Sequence, residues 1–135
     1  MDTGNFMVGV TQDLTLRALD AAVLRHNVLA SNIANASNPQ YTPLRVNFEE
    51  QLQLLRADLL RRTDAAEVRQ ALAGVEPRVE ADRAYSGSGV SSSEQVRLDA
   101  EISKMMQNAV YYQSVLTAIS KNGSIMKMAV REGRG

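Results

Sequence analysis

The residues able to do chemistry in this chain are few, and their company decides what they can do. Ser31, Asn32 and Asn35 cluster in the run from Leu29 to Thr42, LASNIANASNPQYT. A serine becomes a nucleophile only beside a base that takes its proton. The single histidine, His26, stands on an apolar stripe of its own helix, and no acid repeats near it at ligand spacing. The polar cluster is therefore expected to satisfy backbone groups at a helix end or to bond between subunits. His26 is expected to be a packing position rather than a metal ligand. The chain has no cysteine, which removes disulfides and thiolate metal sites together. Gly87 and Gly89 form no phosphate loop, since no Lys-Ser/Thr pair follows them. These residues point to no enzyme, no cofactor and no metal.

The elements that carry these residues read as helices. From about Val10 to Ala36, one stripe is Leu16, Leu19, Val23, His26, Ala30, Ile33, and a second is Val10, Leu14, Arg17, Ala21, Leu24, Val28. Steps of three and four place each set on one helix face. Two stripes leave a narrow polar strip, so this helix expects partners on more than one side. From about Ser93 to Arg131 the row Leu98, Ile102, Met105, Ala109, Tyr112, Leu116, Ile119, Gly123, Met126, Val130 steps 4, 3, 4, 3 without a break. That regularity argues for a coiled-coil-like seam. A serine among Ser91–Ser93 can cap its start. A shorter helix is expected over about Phe48–Leu72, breaking near Thr63-Asp64, and the Gly/Ser-rich run Tyr85–Ser93 has the composition of a flexible linker.

The resulting expectation is an all-α chain. Two long terminal helices form an antiparallel coiled-coil-like pair, with a shorter helix and a flexible loop between them. One domain spans 1–135, divided into an N-terminal helix (1–36), a turn with short helix and flexible middle (37–92) and a C-terminal helix (93–135). Six aromatics and no Trp leave the core to Ala, Leu, Val, Ile and six Met. Met105, Met106, Met126 and Met128 suit packing against slightly different neighbours. Fifteen basic residues are balanced by fifteen acidic ones and interspersed with them, which argues against a nucleic-acid footprint. No run approaches the roughly twenty apolar residues that cross a bilayer, and the N-terminus has no secretory-signal pattern. A soluble helical adaptor or export chaperone that grips a partner helix is the alternative reading of the same stripes.

The turn after the first helix carries more. Its residues Ser31, Asn32, Asn35, Asn38, Pro39 and Tyr41 resemble the signature of the axial proteins of the bacterial flagellum, ASNIANA followed by a threonine-proline-glycine-tyrosine turn. Asn35 suits a helix end, Pro39 keeps the chain out of the helix, and Tyr41 can fold its ring back while its hydroxyl stays bonded. Two departures stand out: Gln40 occupies the glycine position, and Thr42 follows the tyrosine where a basic residue is common. The segment Val46–Leu52, the run Val96–Ile102 and the pair Tyr112-Gln113 are similar to the proximal rod family FlgB, with FlgC its sister. The likeness covers about the first fifty and last forty residues.

The resemblance implies a structural subunit of the flagellar proximal rod that transmits torque. It implies export through the flagellar type III apparatus without a cleaved signal, and a periplasmic place in the basal body. Implied partners are copies of itself, other rod proteins, and the membrane-ring adaptor and export-gate components at the rod base, with no nucleic acid and no direct membrane insertion. Its packing seam would run through Leu16, Leu19, Val23 and Ile33 with Leu98, Ile102, Met105, Ala109, Tyr112, Leu116, Ile119 and Met126. Phe6 and Val10 fit the Phe-x-x-x-hydrophobic form of the family's export-recognition element.

Overall fold

The structure, a computed structural model, describes residues 3–85 and 96–133. Two long helices dominate it: α1 over Thr3–Ala34 and α4 over Leu98–Glu132. At 1.5 Å per residue each is about 50 Å long. They pack on one another in opposite directions, Asn32 meeting Glu101 near one end and Ala22 meeting Asn108 further along. Ala22 on α1, whose carbonyl meets Asn108, carries little side chain, which favours close approach of two helix axes.

Between them lies a small unit of β1 (Leu44–Asn47), α2 (Glu49–Leu59), α3 (Ala65–Ala73), β2 (Arg78–Ala81) and a 3₁₀ turn at Arg83–Tyr85. The chain is thus mostly helical but not all-α: β1 and β2 pair antiparallel, Leu44 opposite Ala81 and Asn47 opposite Arg78. Arg45 stitches the strands to α2, bonding Glu50 at 2.6 and 3.0 Å and Glu80 across the ladder. The expected middle helix is two helices, and the break falls where Asp64 accepts from the Ala66 N–H at 3.1 Å to cap α3. Arg17 closes the other end of α3, donating to the carbonyls of Leu72, Ala73 and Val75 at 2.6–3.1 Å. A cation placed on orphan carbonyls at a helix C-terminus stabilises it twice, by hydrogen bonds and by the dipole.

The core forms where this unit meets α1. Ala21, Val28, Val46, Phe48 and Val75 are buried together, with Ala18, Leu24, Leu44, Leu52 and Leu55 packed around them. The second stripe of α1 therefore faces the middle unit. The first does not face α4 as expected: Leu16, Val23 and His26 are exposed, while Leu19 and Ile33 are half-buried. Ala22, Leu29 and Asn32 are the buried residues on the α4 side instead. The physical reason is that α1 serves two partners on one half of its girth, which leaves the Leu16–Val23 row outside.

In α4 the expected seam is displaced as well. Met105, Tyr112, Leu116 and Ile119 are half-buried, but Leu98, Ile102 and Ala109 are exposed. Glu101 and Asn108 are buried in their place. The helix runs through Gly123 to Glu132, and nothing among the described residues comes within 4 Å of where a Cβ on Gly123 would stand. The Ser91–Ser93 cap and the Gly/Ser run from Ser86 onward lie outside the described residues. Residues 75–85, adjoining that run, form β2 and the 3₁₀ turn rather than loop alone.

Candidate functional site

At the end of α1 the Asn-rich turn closes on itself. The Asn35 amide donates to the Ser31 carbonyl at 2.8 Å, which also takes the Asn35 backbone N–H at 3.1 Å. Asn38 accepts from the Gln40 N–H at 3.0 Å and its carbonyl takes the Tyr41 N–H at 3.2 Å. Gln40 is thus held in a turn stapled by the Asn38 side chain. Asn38 and Pro39 are exposed, Asn35 half-buried. Tyr41 folds back onto α1 as its sequence position suggests: its hydroxyl donates to Asn32 Oδ1 at 2.8 Å and lies 3.0 Å from Ser31 Oγ.

Asn32 is the hub. It is fully buried, and all four of its hydrogen-bonding positions are used. Its Oδ1 accepts from Tyr41 and from the Leu44 N–H at 3.0 Å; its Nδ2 donates to the Leu44 carbonyl at 2.8 Å and to Glu101 Oε2 at 2.9 Å. One amide side chain thereby ties α1 to the turn, to the first residue of β1 and to α4.

Glu101 extends the network. It too is fully buried, and its Oε1 accepts from the Tyr85 hydroxyl and from Lys104 Nζ, both at 3.1 Å. Lys104 lies 3.5 Å from Asp82 and over the Tyr85 ring, 5.9 Å from its centroid. Asp82 is fixed in turn by the Ala84 N–H at its carboxylate and by its own N–H on the Pro43 carbonyl. The Arg97 N–H reaches the Tyr85 oxygen at 3.3 Å. Burial pushes the Tyr85 hydroxyl up; the Arg97 N–H works against this, and the Glu101 carboxylate adds to it. For Lys104, burial works against the charged form, but the hydrogen bond and charge of Glu101, with the charge of Asp82, outweigh it and raise its pKa.

Sequence reasoning singled out Ser31, Asn32, Asn35, Asn38, Pro39 and Tyr41, and four of these six meet at or beside this clasp. It missed Asp82, Tyr85, Glu101, Lys104 and Asn108. A signal existed in the Glu101–Lys104 spacing, which puts opposite charges on one helix face, but the partner Asn32 lies 69 residues away. Of the proposed export element, Val10 is half-buried on α1 and the Phe6 side chain lies outside the described residues, as does that of Met126. Among the described residues no cluster of three His, Asp or Glu could hold a metal ion, and no helix is long and apolar enough to cross a membrane. The groups around Asn32 and Glu101 are spent on one another, while Asn108 donates to the Ala22 carbonyl and keeps its Oδ1 buried without a partner. The arrangement can hold elements together. No protein-family model matches the chain, and neither does any curated protein.

Proposed function

We propose that this chain is a structural subunit of a helical assembly, and specifically of the bacterial flagellar proximal rod. The observation that carries the reading is the conjunction of the turn motif with the surface it leaves behind. The flagellum-like residues Ser31, Asn32 and Tyr41 are spent on closing a helical hairpin. Along both helices large apolar side chains point away from that hairpin: Leu16 and Val23 on α1, Leu98, Ile102, Met106 and Val110 on α4. Scattered apolar residues on a surface are ordinary, but rows at helical spacing on both arms of a hairpin fit lateral packing of subunits. Export and placement in the periplasm follow from the rod reading and stand or fall with it.

The test is a fractionation. Alkali- and detergent-resistant basal bodies are purified and searched by mass spectrometry for this chain at fixed stoichiometry. Recovery there supports the rod subunit. A chain found only in the cytoplasm, as a monodisperse dimer, overturns it and favours a soluble helical adaptor or chaperone that uses the same exposed row on α4.

A further inference from the structure

The α4 row that faces α1 is not the most apolar row available. In α4 the inward row is Glu101, Met105, Asn108, Tyr112, Val115 and Ile119, with two polar residues wholly or almost wholly buried. Beside it run Leu98, Ile102 and Ala109, which are exposed. At 3.6 residues per turn the two rows differ by a rotation of about 80° about the helix axis. Hydrophobic burial alone favours the turned arrangement, which would put Leu98, Ile102 and Ala109 inside and release two polar groups to water. Two polar contacts oppose it: Asn32 Nδ2 to Glu101 Oε2 at 2.9 Å, and Asn108 Nδ2 to the Ala22 carbonyl at 2.8 Å. Three further groups grip Glu101 or Lys104 from outside the helix pair: Tyr85, Asp82 and, through Asn32, Tyr41.

We infer that Asn32, Glu101 and Asn108 form a rotational lock that holds α4 with its apolar row outward. Buried polar groups of this kind add little net stability, and their best-attested use is to select one packing among several. The lock is a property of the monomer and does not depend on what the outward row later meets.

The absence of native cysteine makes the test direct. Single cysteines are placed at Ile102 and at Val115 in the full chain, and their rates of maleimide labelling are measured in dilute solution. The parent is expected to label fast at 102 and slowly at 115. In the apolar triple change Asn32→Leu, Glu101→Leu and Asn108→Leu the order reverses, each rate moving by about tenfold. Glu101→Gln keeps an acceptor for the Asn32 amide but turns an N–H toward Tyr85 and Lys104. Since the Asn32 contact and the Asn108 contact remain, it leaves the parental order in place. A parent already protected at 102 overturns the lock, as does a triple variant of unchanged helicity that keeps the parental order. Should the triple variant lose its helicity, Asn108→Leu alone decides: a shift in the same direction supports the lock, and unaltered rates overturn it.

Discussion

Asn32 shows how one side chain can serve three elements. An amide has two donor and two acceptor positions, and here all are filled without water. Asn32→Ala strands the Leu44 backbone groups and removes a donor from buried Glu101, so we expect a loss of about 1–3 kcal/mol. Urea unfolding measures it, with the midpoint lowered and the slope unchanged. Tyr41→Phe removes one hydroxyl from the same hub and should cost about 1 kcal/mol. The pH response of the clasp follows from Tyr85 and Lys104. Both bind their proton more tightly folded than unfolded. Their contribution is therefore complete below the unfolded values of about 10 to 10.4 and is lost as pH rises through the folded ones. Stability should fall on the alkaline side of that range, and Tyr85→Phe should remove part of the fall. A flat profile there would contradict the assignment.

At the scale of elements, helix ends rather than helix interiors organise the middle of the chain. Asp64 starts α3 and Arg17, from another helix, finishes it. Arg17→Met keeps the apolar stem but leaves the carbonyls of Leu72, Ala73 and Val75 without that donor. We expect about 1–2 kcal/mol of destabilisation, with α3 amides losing exchange protection before those of α1. The break at Thr63-Asp64 was legible in sequence because Asp is a strong N-cap and interrupts the Leu periodicity. The strands were not. Leu44-Arg45-Val46-Asn47 and Arg78-Val79-Glu80-Ala81 do alternate, but four residues are too few to tell a strand from the start of a helix. Their pairing joins residues far apart in sequence, as the Arg45–Glu80 contact across the ladder does over 35 residues.

At the scale of the molecule, the two long terminal helices and their need of apolar partners were legible from period, whereas their rotation against one another was not. Periodicity picks the most apolar stripe; it cannot know that Glu101 and Asn108 have buried partners waiting on α1. The two faces of α4 should consequently respond differently to charge. Tyr112→Asp puts an unpaired carboxylate against the hairpin and should unfold part of it, visible as lost helicity in circular dichroism. Met106→Asp alters a side chain that is 66% exposed, so the monomer should keep its stability within about 0.5 kcal/mol. On the proposed rod function Met106→Asp should nevertheless stop assembly, scored as lost motility with normal expression of the protein.

The hydrogen bond from the Arg97 N–H to the Tyr85 hydroxyl oxygen has a use for engineering. It holds Tyr85 and Arg97 side by side although they are 12 residues apart in sequence, so the two ends of any chain inserted between them are already close. Entropy of closure grows only with the logarithm of length, about 0.6 kcal/mol for each doubling. A peptide tag spliced between these two residues is thus a cheaper way to follow the chain in a cell than one attached to α1 or α4.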